Sequence, residues 1–212
     1  MKNVRIEPIG KDRHYYIRND RAYGKIVAGL CFPGRRPGYV CILGESFHPE
    51  HSIGPDIHRI DLLHEIEEMH GQVLMEKLAD AVGSWEIDAI YGYLDDHQRH
   101  YLSSFNSYAR GQNRMPIGVQ HPPFAENDSI AVFIHILMDR LIPERKSLAL
   151  FEGARLQSAL MTLQAEEIPD ARARDFPAIA AAGWTVSALT AYSQSHLKNL
   201  PTQASTEWDD GF

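Results

Sequence analysis

Between residues 24 and 96 the chain sets out four elements in a fixed order, and that order admits few folds. Residues 24–32 (GKIVAGLCF) and 39–43 (YVCIL) are apolar, β-rich runs on either side of a PGRRPG turn. An amphipathic segment follows from about Asp56 to Val82, and a third β-rich run, residues 86–93 (EIDAIYGY), leads to the acidic pair Asp95-Asp96. Both runs of the hairpin are apolar at odd and even positions alike, so they are expected as a buried, central antiparallel pair. Strands alternating with helices after an opening hairpin indicate an α/β domain with a mixed sheet.

The segment from Asp56 to Val82 reads as helical. Ile57, Ile60, Leu63 and Ile66, then Val73, Leu74 and Leu78, recur at helical spacing. Gly71 weakens its middle, so one kinked helix or two shorter ones fit equally. Within it, residues 58–70 (HRIDLLHEIEEMH) are rich in ligand-type side chains that fall on the polar side of such a helix. Glu67-x-x-His70 occurs once, whereas a di-iron carboxylate bundle needs the motif twice, and the H-E-x-x-H spacing of zinc proteases is absent. A solvated helix face is the expectation there. A metal-binding helical protein built around residues 58–70 is the minor alternative.

Beyond Asp96, Tyr101, Leu102, Phe105 and Tyr108 mark a second helix that stops near Gly111. Residues 117–120 suit a short strand closed by Pro122-Pro123. A third helix starts near Asp128 and ends before Pro143, and residues 147–151 (SLALF) are a strand or the start of a helix reaching Leu163. The last helical pattern runs from about Asp175 to Leu197. Residues 1–22 are polar and expected as an extended lead-in, residues 23–200 as one domain, and residues 201–212 as a mobile tail.

A chain of 212 residues is long enough for one substantial core. It has no apolar run near the roughly 20 residues that span a bilayer, and its first residues lack the apolar core of a signal peptide. A cytoplasmic protein without membrane association is expected. Cys31 and Cys41 flank the hairpin turn. A disulfide is geometrically open to them, but a cytosolic setting favours two buried thiols. The net charge of −7 argues against binding nucleic acid over the whole surface. Basic residues are local, in Arg35-Arg36, Arg110 with Arg114, Arg140 with Arg145-Lys146, and Arg172 with Arg174, and each group is a candidate phosphate contact beside its bland role as solvated surface. No Walker A loop, dinucleotide fingerprint or G-x-S-x-G elbow occurs.

Asp95-Asp96 is the leading site. Hard cations such as Mg²⁺ and Mn²⁺ take oxygen ligands, and a loop at a strand end exposes side chains while the strand fixes their position. The competing reading is that Asp96 caps a helix starting at His97. Asp175 opens the last helix with Pro177 in its first turn, as an N-cap or as a ligand supplied by that helix. Glu45 follows the second strand and is within reach of the same sheet edge, but a solvated turn residue is the expectation.

On these residues the chain resembles the nuclease domain of phage terminase large subunits, a ribonuclease H-like family that cuts concatemeric DNA during packaging. The resemblance covers roughly residues 23–196. Residues 26–34 (IVAGLCFPG) look like that family's first strand and its turn, residues 38–43 like the second strand, and residues 87–93 with Asp95-Asp96 like the strand that brings the next acid. Residues 117–123 and 126–141 are similar to the fifth strand and its helix, and Asp175 to the acidic start of the final helix. The resemblance implies a ribonuclease H-like mixed sheet flanked by helices, a phage-derived nuclease acting on DNA, and Mg or Mn held by Asp95, Asp96 and Asp175, with Asp95 and Asp175 catalytic. It also implies other phage packaging proteins as partners. Two departures stand out. Cys31 occupies the place of the first-strand aspartate, and a thiol is a poor ligand for a hard cation; the last helix offers one aspartate where two are common. The alternative is a catalytically degenerate domain of this fold, acting as a binding or assembly module.

Overall fold

The structure, a computed structural model, describes residues 5–8, 14–18, 21–46, 59–112, 114–122, 130–141, 147–163 and 175–198. The two apolar runs form the expected hairpin: β3 (Arg21–Cys31) and β4 (Gly38–Ser46) pair antiparallel from Cys31↔Tyr39 to Tyr23↔Ser46. Alternation explains why both parities are apolar. Val27 and Cys31 on β3, with Tyr39, Cys41 and Leu43 on β4, enter one core cluster, while Ile26, Ala28, Leu30, Val40 and Ile42 enter another on the opposite face. The hairpin is therefore buried on both sides.

β5 (Arg59–Glu68) extends the sheet beyond β4, antiparallel to it. This corrects the helix expected from about Asp56: its described part up to Glu68 is a strand, and only α1 (Gly71–Trp85) is helical. The cause is a bulge. Ile42 pairs with His64 and Leu43 with Leu62, leaving Leu63 as an extra residue. The bulge swaps the faces, so Ile60 and Leu62 pack with one cluster and Leu63 and Ile66 with the other. Apolar residues then recur at 60, 63 and 66, a spacing of three that imitates a helix. The solvated helix face proposed for residues 58–70 falls with it, as does the helical metal protein; His58 itself lies outside the described residues.

After α1, β6 (Ala89–Tyr91) returns to the centre and pairs parallel with β3, Val27↔Ala89 through Gly29↔Tyr91. α2 (Asp96–Gly111) and β7 (Val119–Gln120) follow, and β7 adds parallel to β6. α3 (Ile130–Leu141), β8 (Leu148–Ala149), α4 (Arg155–Thr162) and α5 (Pro177–Lys198) complete the described elements, with β8 pairing parallel to β5. Within the stretch read as a lead-in, β1 (Arg5–Pro8) and β2 (His14–Arg18) form a hairpin that joins β3 through Arg21, Ala22 and Tyr23. Leaving that hairpin aside, the strands lie in the order β8-β5-β4-β3-β6-β7.

One edge of β3 thus serves two partners in turn, β2 near Tyr23 and β6 from Val27. Between them the Ile26 amide donates to Asp88 Oδ2 at 2.8 Å, and the Asp88 amide donates to the Ile26 carbonyl at 2.8 Å. A side chain here completes the ladder where neither strand reaches.

Helices cover both faces. α1 and α2 pack Leu74, Met75, Leu78, Trp85 and Phe105 on one side, while α3, α4 and α5 pack Phe133, Leu137, Leu156 and Trp184 on the other. α5 is buried all round from Ala178 to Leu189, because small residues let it approach both neighbours. A Cβ added to Gly29 would lie 2.2 Å from the Ala181 carbonyl oxygen, and one added to Gly183 would lie 2.6 Å from Phe133 Cβ. Among the described residues no helix is long and apolar enough to cross a membrane.

Candidate functional site

Parallel pairing of β3 with β6 brings the two strands' carboxyl ends to the same sheet edge, so Cys31 and the loop of residues 92–95 share that edge. Gly92 lies against the end of β3, where an added Cβ would come within 2.6 Å of the Leu30 carbonyl oxygen. Three residues later the loop ends at Asp95.

Asp95, rather than Asp96, is the N-cap of α2. Its Oδ1 accepts from the Gln98 amide at 2.8 Å, and Gln98 Oε1 accepts from the Asp95 amide at 3.1 Å, a reciprocal capping box. This corrects the expected boundary by one residue. Asp96 is the first helical residue, where a negative charge is favoured by the helix dipole. Both side chains are exposed, and Asp175 is exposed in the turn that precedes α5. Among the described residues, no group of three or more His, Cys, Asp or Glu side chains converges on one point to hold a metal.

Donor chemistry at the edge is mixed. Asp95 keeps Oδ2 and Asp96 its whole carboxylate as hard oxygen donors, which suits Mg²⁺ or Mn²⁺. Cys31 is 5% exposed, sits in the apolar cluster with Tyr39 and Ile179, and offers sulfur where a hard cation wants oxygen. The thiols are free rather than linked: Cys31 lies opposite Tyr39 and Cys41 opposite Gly29. Burial pushes the Cys41 thiol up to about 12, and its sulfur lies 4.0 Å from Thr185 Oγ1.

Between α2 and the ends of β6 and β7 lies a cleft of about 430 Å³. Arg99, Ser103, Asn106, Arg110 and His121 line it over a floor that includes Leu94, Leu102 and Val119. Asn106 is committed to structure, bonding the Ile117 amide and carbonyl, each at 2.8 Å. The Arg110 and Arg114 pair noted in the sequence is split: Arg110 lines the cleft, while Arg114 lies 3.6 Å from Asp80. Arg35 and Arg36 are exposed at the hairpin turn. Arg145, Lys146, Arg172 and Arg174 lie outside the described residues.

Three other carboxylates have structural roles that the sequence pattern did not show. Glu45 is not a solvated turn residue but 5% exposed within β4, opposite Lys25 on β3. Burial lowers the Lys25 pKa, while Glu45 and Asp88 oppose that shift. Asp61, also 5% exposed, accepts from Tyr23 Oη at 3.1 Å and Arg59 Nε at 2.9 Å. Glu65 accepts from the Tyr39 hydroxyl and from the amides of Arg155 and Leu156 at 2.8 and 2.9 Å. These roles depend on strand neighbours far apart in sequence, so local pattern carried no signal of them.

The strand order, the antiparallel hairpin at its centre, the parallel β6 and β7 beyond it and helices on both faces define a ribonuclease H-like α/β domain. The resemblance read from the sequence holds at the level of fold. A scan against protein-family models finds no match, and a search of curated proteins finds none either. Among solved structures the chain is similar to the nuclease domain of the large terminase from bacteriophage SPP1 with bound Mn, at 16% identity over 80% of this chain and 88% of that one, with a TM-score of 0.48. It is also similar to the Fowlpox virus resolvase in complex with its substrate Holliday junction DNA, at 11% identity over 81% of this chain and 99% of that one, with a TM-score of 0.37. Topology, rather than either superposition, carries the fold assignment.

Proposed function

We propose that this chain is a metal-dependent nuclease of the terminase-nuclease type, acting on DNA, with Asp95, Asp96 and Asp175 as the carboxylates that hold Mg²⁺ or Mn²⁺. The observation that carries this reading is the parallel pairing of β3 and β6, which brings Asp95-Asp96 to the edge where β3 ends. A divalent ion there would supply an activated water and neutralise charge on the phosphate. The chain's own contribution is positional: the capping box fixes Asp95 at the start of α2, and Asp96 adds a second exposed carboxylate beside it.

A second reading has its own support. The buried thiol of Cys31 at the end of β3, together with the commitment of Asp95 Oδ1 to Gln98, favours a catalytically degenerate domain that binds DNA or packaging partners without cutting.

Cleavage of plasmid and single-stranded DNA across a Mn²⁺ titration separates the two. Under the nuclease reading, wild type cuts and Asp95→Asn falls to background. Asn is as good an N-cap as Asp, so Asp95→Asn should melt like wild type and report chemistry alone. Cys31→Asp should raise Mn²⁺ affinity and cleavage by adding a hard ligand, at a cost in stability because the carboxylate is buried. A wild type that never cuts, with Cys31→Asp gaining neither metal nor activity, overturns the nuclease reading in favour of the binding module. An Asp95→Asn variant as active as wild type would place the chemistry elsewhere.

A further inference from the structure

Arg99, Ser103, Asn106 and Arg110 follow one another at intervals of four, three and four residues, so they form a single polar stripe along α2. That stripe is one wall of the cleft beside β6 and β7. In a chain of net charge −7, no carboxylate lines this cleft, and two arginines and a histidine do. The Arg99 side chain is held by one bond, Nε to the Leu94 carbonyl at 3.1 Å, and its remaining guanidinium N–H groups have no acceptor among the described residues. The Arg110 side chain forms no hydrogen bond or ion pair with any described residue. Eleven residues of helix separate the two guanidinium-bearing positions by about 16 Å along the axis, enough for several phosphates of a stacked strand at about 3.4 Å each.

Aromatic surface adjoins the cleft through His121, which lines it. Tyr93 is 39% exposed, and its ring meets the exposed His121 edge-on, with centroids 5.5 Å apart. Cationic groups along a track with an exposed ring beside it are the two components of single-strand recognition, phosphate attraction and base stacking. A duplex offers the first and hides its base faces from the second.

We propose that this cleft binds a single-stranded stretch of DNA, with Arg99 and Arg110 on its phosphates and Tyr93, braced by His121, stacking on a base. The inference rests on the reading that the chain acts on DNA, and it adds the strandedness and the contacts. A strand in the cleft passes the loop of residues 92–95, which ends at the carboxylates of the proposed metal site.

The test is fluorescence anisotropy with the full chain and a labelled 20-nucleotide oligo-dT in EDTA, so that binding is read without cleavage, set against a duplex of equal length. Wild type should prefer the single strand. Arg99→Gln with Arg110→Gln should lower affinity about tenfold or more at low salt and flatten the log–log salt dependence by about 1.4, two contacts at about 0.7 each. Arg110→Gln alone, on an exposed last turn, should flatten it by about 0.7 and guards against disturbance of the Leu94 loop by the double change. Tyr93→Ala should weaken oligo-dT about tenfold and leave duplex binding unchanged. Unchanged affinity in the arginine variants, equal binding of duplex and single strand, or no binding by wild type overturns the proposal. Replacing the EDTA with Mn²⁺ in parallel mixtures keeps the two readings apart. Variant-sensitive binding without cleavage supports the cleft and removes the nuclease, whereas cleavage with variant-insensitive binding removes the cleft and keeps the nuclease.

Discussion

Gly29 shows how much one hydrogen atom decides. The β3 backbone at Gly29 lies under α5, and any side chain there would meet the Ala181 carbonyl and Thr185 Oγ1, each at 2.2 Å from an added Cβ. Backbone atoms cannot rotate aside, so Gly29→Ala should cost at least the roughly 1–3 kcal/mol typical of overpacking, read as a lower urea midpoint at unchanged slope. Beside it, Cys41 tests burial by titration. Its folded thiol is pushed up to about 12 from its ordinary value of 9.0, and burial moves the Tyr39 hydroxyl the same way. The folded state therefore holds protons that the unfolded state releases. Stability is unaffected by this thiol below pH 9 and should fall as pH rises from 9 towards 12. In parallel, a thiol reagent at pH 8 should label Cys41 only as fast as the protein unfolds. Rapid labelling of the native protein would contradict the burial described here.

Single elements differ in how far the sequence betrays them. The β3–β4 hairpin and α2 were legible because their periods are regular: apolar residues on both faces in the first, and Tyr101, Leu102, Phe105 and Tyr108 at helical spacing in the second. β5 was misread because the bulge at Leu63 breaks its alternation into a spacing of three, and no local pattern records a bulge that exists only against β4. At the candidate site, the acidic loop after β6 and the start of α5 were legible as positions. The Asp95 capping box was shifted by one residue, since Asp95 and Asp96 are equally good caps in sequence. The cleft was invisible because its walls come from α2, β6 and β7, which only the sheet brings together. α4 depends on the misread strand. Its N-cap position, Ala154, has no capping side chain, and Glu65 on β5 supplies the acceptor instead. Glu65→Ala should leave two amides and the Tyr39 hydroxyl without that acceptor and cost about 1–3 kcal/mol. Limited proteolysis should then cut first at α4, while Glu65→Gln, which keeps one acceptor oxygen, should lose less. Equal resistance of Glu65→Ala and wild type would show that α4 is held by packing alone.

Across the whole molecule, the last described helix serves as core for both the sheet and the outer helices. α5 touches β3, β4 and β6 on one side and α3 and α4 on the other. Truncation before Asp175 should therefore abolish cooperative folding rather than trim a peripheral layer. The expected signs are strong binding of an apolar dye and loss of a sharp thermal transition. A truncated chain that melts sharply would mean that the sheet and its α1–α2 layer stand alone. Pairings such as β3 with β6, more than 60 positions apart along the chain at Val27 and Ala89, must form before that helix has a surface to dock on. Folding dominated by such non-local contacts should be slow for a chain of this size.

The shared edge of β3 behaves like a ruler with two users. The β1–β2 hairpin reads it up to Tyr23, Asp88 marks the division at Ile26, and β6 reads it from Val27 to Gly29. Its length is fixed, so every rung gained by the hairpin is a rung taken from β6. A change that let β2 run on past Asp88 would evict that side chain, slide β6 along its track and carry the acidic loop with it. The position of Asp95 is thus set from the opposite end of β6, by a carboxylate bonded to the backbone of the neighbouring strand.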